Sequence, residues 1–93
     1  MFRVKPNSNS EQIVNPRQTP QPQPALGQAI RELRQKRGAT LETVAKEAGI
    51  TLNMLSLIER GEGNPTWATM KGIAAALDVP ASTLAKAAER LEG

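Results

Sequence analysis

Thr51, Asn53, Ser56 and Arg60 lie within the stretch GITLNMLSLIERGEGNP, close enough for one helix to carry all four. Asn53 offers a donor and an acceptor side by side, the hydroxyls of Thr51 and Ser56 can do either, and Arg60 adds a cation. Such groups recognise by hydrogen bonding rather than break bonds. The segment from Thr51 to Ile58 carries no charge and five of its eight residues are apolar, so part of it must pack inward while part can read a surface. The rest of the chain holds no stronger chemistry. There is no Cys and no His, which excludes disulfides and thiolate metal sites and removes the commonest general base and metal ligand. No catalytic constellation can be named, so no enzyme activity, cofactor or metal is expected.

The formal charge of +3 and a pI near 9.8 suggest an anionic partner. Before Pro24, Arg3, Lys5 and Arg17 stand against Glu11, three minus one, or +2; from Ala25 onward nine Lys or Arg stand against eight Asp or Glu, or +1. Placement therefore matters more than excess. Arg31, Arg34, Lys36 and Arg37 cluster in one segment, which reads either as an anion-binding face or as a solvated helix face.

These residues need elements to hold them. Residues 1 to 24 are rich in Pro, Gln, Asn and Ser, and TPQPQP has Pro at every second position, which favours extended chain over helix. A disordered arm is expected there, because Ile13 and Val14 are too few to form a core. From Ala25 to Gly93 apolar residues recur at three- and four-residue spacing in five short blocks, predicting an all-α domain over 25–93. Leu26, Ile30 and Leu33 stripe the first helix, closed by Gly38. Thr40 caps a second that ends at Gly49, and a third runs from Thr51 to about Arg60, broken by Gly61 and Gly63. Thr66 caps a fourth with Trp67, Met70, Ile73, Ala74 and Leu77 inward; the fifth aligns Leu84, Ala88 and Leu91. At roughly 100° per residue, Leu55 and Ile58 share the inner face of the third helix while Asn53, Ser56 and Leu57 look outward. No stretch has the roughly 20 apolar residues needed to cross a bilayer, and MFRVKPNSNS lacks a signal-peptide run; a cytoplasmic chain is expected.

Only AGIT joins the second and third helices, so they must cross steeply. With small Ala45 at their contact, Gly49 in the turn and Ile50, Leu55 and Ile58 pinning the third helix, residues 26 to 91 resemble the lambda-repressor-like, Cro-type helix-turn-helix (Xre) family. LSLIERGEGNPT is similar to that family's Leu-Ser-x-Ile-Glu-x-Gly turn followed by Asn-Pro-Ser/Thr. The resemblance implies a five-helix DNA-binding domain with Thr51 to Arg60 as recognition helix in the major groove, and an ion pair between Arg34 and Glu59 that sets its position.

On that reading Thr51, Leu52, Asn53 and Ser56 select bases; Asn53 suits an adenine edge, and Leu52 and Leu57 suit thymine methyl groups. Thr40 caps the second helix and, with the amide of Leu41, could hold a phosphate. Asn64 and Thr66 are caps or phosphate contacts, and Arg60 caps carbonyls or meets DNA. Leu41, Leu52 and Leu57 stand where several family members have polar residues, which implies modest specificity. The function implied is a sequence-specific transcriptional regulator binding double-stranded operator DNA as a homodimer, with Ala85, Ala88 and Leu91 as the pairing surface. The alternative is an antitoxin-type or accessory protein whose main partner is another protein, met by Leu52, Met54 and Leu57, with DNA binding as autoregulation.

Overall fold

The computed structural model describes residues 22–93. The cations Arg3, Lys5 and Arg17 and the apolar pair Ile13 and Val14 lie outside the described residues. Five helices follow in order: α1 (Pro24–Arg37), α2 (Leu41–Ala48), α3 (Leu52–Glu59), α4 (Trp67–Ala76) and α5 (Ala81–Glu92).

Local chemistry accounts for most of the boundaries. Thr40, Thr51 and Thr66 are the N-caps of α2, α3 and α4, each hydroxyl accepting the N–H three residues on, which satisfies a donor the helix itself leaves unpaired. Gly38 and Gly49 end α1 and α2 in the left-handed region at φ 78° and 76°, where a Cβ would be strained. Two boundaries differ from the sequence expectation. Thr51, expected as the first residue of the third helix, is the extended N-cap before it. Pro24, assigned to the extended arm, is the first residue of α1, a position where its missing N–H is no loss and its fixed φ already suits the helix. Gln23 is likewise tied to the fold, its N–H donating to the Gly61 carbonyl at 3.0 Å.

Ile30, Val44, Leu55, Ile73 and Leu84, drawn from all five helices, are the largest fully buried side chains. Around them α1 packs on α5 and α3, while α2 packs on α4 and α3. The inward face of α3 is Leu55 and Ile58, as the helical period requires. Gly27 governs how α1 meets that helix: a Cβ there would stand 2.7 Å from the Glu59 carbonyl oxygen and closer still to that of Ile58. Only glycine lets α1 lie so near the end of α3.

Two inward assignments are corrected. Trp67 is 59% exposed because it is the first residue of α4, directly after its cap, where the opening turn projects beyond the packed layer. Leu91, 37% exposed, lies in the last turn of α5, past Leu84 and Ala88, which are buried.

Candidate nucleic-acid interface

The exposed end of α3 begins at Thr51, whose hydroxyl accepts the Met54 N–H at 3.0 Å. Fixing that oxygen aims the first turn of the helix. Leu52, Asn53 and Met54 follow, all exposed, with Leu52 and Met54 at 44%. Asn53 makes no side-chain hydrogen bond among the described residues, which leaves its carboxamide available to an external partner. Thr51, Leu52 and Asn53 thus stand together at one helix end.

The outward side chains further along α3 are engaged with the protein. Ser56 is half-buried and its hydroxyl accepts from Arg60 Nη1 at 3.1 Å. Arg60, the C-terminal cap residue, also faces Glu62, with Nε 3.4 Å from Oε2. Both partners of that pair are more than half exposed, so the contact adds little to stability. Leu57 is half-buried rather than fully outward. With Met54, Asn64, Pro65, Thr66 and Thr69 it lines an apolar groove of about 260 Å³ between α3 and the start of α4. Leu57 and Asn64 therefore meet at one surface.

Thr40 sits apart from α3, at the N-terminus of α2. Its hydroxyl accepts the Thr43 N–H at 3.0 Å and bonds the Thr43 hydroxyl at 2.9 Å. Its first task is capping, and so is that of Thr66, which accepts from the Thr69 N–H at 3.1 Å. The sequence reading missed Trp67 as a surface residue. Its position directly after a capping threonine was the available signal, since side chains in a first helical turn often overhang the layer below.

The support beneath α3 is electrostatic as well as apolar. Arg34 on α1 forms a two-pronged pair with Glu59, Nε to Oε2 at 2.6 Å and Nη2 to Oε1 at 3.0 Å, and its Nη1 donates to the Ala39 carbonyl at 3.0 Å. With side chains only 14% and 7% exposed, the pair joins α1, the turn before α2 and the end of α3. The hydrogen bond to Glu59 raises the Arg34 pKa above its ordinary value, burial opposes the shift, and the Glu59 charge adds to it. Arg37 is also engaged, pairing with Glu47 at 3.1 Å and donating to the Ala76 carbonyl. Of the four clustered cations of α1, all exposed except Arg34, Arg34 and Arg37 are thus engaged with the protein, while Arg31 and Lys36 make no ion pair among the described residues.

Comparison with known proteins agrees with this arrangement. Residues 25–90 match the family described as "Helix-turn-helix domain". The HTH-type transcriptional regulator SutR of Escherichia coli is 45% identical over 58 residues, covering 62% of this chain and 33% of SutR. The chain spans a third of that relative and about half of the other regulators it matches. Among solved structures, the clp gene regulator ClgR from Corynebacterium glutamicum superposes with TM-score 0.71 at 26% identity, over 73% of this chain and 72% of that one. SinR, the master regulator for biofilm formation, solved in complex with DNA, superposes with TM-score 0.61 at 36% identity, over 64% of this chain and 97% of that one. All three of these proteins are named as regulators. With its capped α2–α3 pair, its Arg34–Glu59 brace and a match over nearly the whole described region, the chain belongs to the helix-turn-helix domain family, in its lambda-repressor-like, Cro-type branch.

Proposed function

We propose that this protein is a sequence-specific transcriptional regulator that binds double-stranded DNA through α3. The observation that carries the reading is the state of the first turn of α3. It is capped, exposed and uncharged, and it presents an Asn53 carboxamide with no partner among the described residues, on a helix whose other end is braced by Arg34 and Glu59. A major-groove reader needs such a turn, since its N-terminal side chains must reach base edges from a fixed backbone. The similarity to SinR, solved in complex with DNA, supports DNA as the partner.

Asn53 bonds an adenine through both amide atoms. Arg60, Thr40 and Asn64 flank the groove and meet phosphates, which position the helix without choosing the sequence. Leu57 packs at the groove wall. Two copies bind a two-fold-symmetric site, because one small domain reads too few base pairs alone. Ala88 is buried within its own subunit, so the pairing surface on α5 reduces to the exposed Leu91 with half-buried Ala85. No described helix is long and apolar enough to cross a membrane, and a cytoplasmic location fits a chain that works on DNA.

Selection from a pool of random duplexes tests the reading. A preferred two-fold-symmetric sequence, bound at least about 1,000-fold more tightly than unrelated DNA, is the expected result. Equal binding of every duplex would remove base reading from the function.

A further inference from the structure

Two hydroxyls on the exposed side of α3 already accept hydrogen bonds from the protein. The Thr51 hydroxyl oxygen accepts the Met54 N–H, and the Ser56 hydroxyl accepts from Arg60. Among the described residues Asn53 is the polar side chain in the first turn of α3 that makes no hydrogen bond within the protein. Beside it Leu52, the first residue of α3, is 44% exposed. Met54 stands about 200° round the helix from Leu52 and belongs instead to the groove it lines with Leu57 and Pro65.

A leucine in the major groove has one favourable counterpart. The edges of guanine, cytosine and adenine present polar atoms that lose water against Leu52 and gain no partner, whereas thymine presents a C5-methyl group. We propose that Leu52 reads the methyl group of a thymine at, or one step from, the base pair that Asn53 contacts. Sequence choice is then made by one bidentate amide and one methyl contact rather than by a row of hydrogen bonds. This inference rests on the DNA-binding role of α3 proposed above.

Single thymines of the selected operator are replaced in turn by deoxyuridine, which removes the methyl group and leaves every hydrogen-bonding atom in place, and binding of the full chain is titrated. One thymine per half-site is expected to show about a four-fold loss, the effect of withdrawing one buried methyl. In the Leu52→Ala protein, its folding verified by an unchanged melting curve, the same replacement is expected to have no effect. If every deoxyuridine duplex binds like the parent while Asn53→Ala still loses operator preference, the methyl contact is overturned and DNA reading by α3 stands. A deoxyuridine loss that persists undiminished in Leu52→Ala assigns the methyl to another residue and also overturns the proposal. A random pool that yields no preferred sequence overturns both readings together.

Discussion

Asn53 and Leu55 are two positions apart in α3, yet they answer to different constraints. Leu55 is fully buried against the other helices, so Leu55→Ala removes core packing and leaves a cavity; a loss of about 2 to 5 kcal/mol is expected in denaturant unfolding. Asn53 is exposed, so Asn53→Ala should leave the melting curve in place. Its effect belongs to binding: a loss of about 1 to 3 kcal/mol on the preferred operator and much less on unrelated duplexes, as measured by titration of both. A uniform loss across all duplexes would instead make Asn53 a backbone contact.

At the scale of elements, the setting of α3 depends on what α1 allows. Arg34 and Gly27, seven residues apart on α1, both act at the C-terminal end of α3, one through the Glu59 carboxylate and the other by leaving room for the Ile58 and Glu59 carbonyls. Glu59→Ala strands the largely buried Arg34 guanidinium, and a destabilisation of about 3 kcal/mol is expected from unfolding curves. Gly27→Ala forces a methyl group into backbone atoms that have no rotamer to adopt, and should cost about 1 to 3 kcal/mol. Both substitutions should also weaken operator binding beyond their effect on folding, because they shift the helix that reads. Operator affinity measured well below the melting temperature checks this; unchanged affinity would show that α1 supports the fold without aiming α3.

For the whole molecule, charge is shared between two parts. Residues from Ala25 onward are close to neutral, while residues 1–21 contain Arg3, Lys5 and Arg17 against Glu11. Binding to any duplex should fall steeply with salt, since each phosphate neutralised releases counterion. Removing residues 1–21 keeps Gln23 and its bond to Gly61, and the melting temperature is expected to hold. If the three arm cations meet phosphates, the truncation should bind more weakly, and its log–log salt slope should shrink by about 0.9 for each phosphate no longer neutralised. Matching slopes for the two proteins would make the arm a bystander in DNA binding.

Much of this organisation was legible from residue types and spacing because it depends on local forces. Capping threonines at 40 and 66 and glycines at 38 and 49 mark helix ends by hydrogen bonding and φ preference alone, and the three- and four-residue spacing of apolar side chains separates Leu55 and Ile58 from Asn53. The Arg34–Glu59 pair was available only through the family resemblance, since nothing local joins residues 25 positions apart. What remained for the tertiary structure were outcomes set by neighbours distant in sequence. Trp67 has the residue type of a core position, yet at the first residue of α4 it is left in solvent. Ala88 and Leu91 share one apolar stripe, and only the packing of α5 on α1 buries the first and leaves the second in solvent. Arg37 and Lys36 are adjacent cations, and the approach of Glu47 and the Ala76 carbonyl engages only Arg37. A helix's own period states which side chains share a face; how much of that face is covered depends on where the neighbouring helices end.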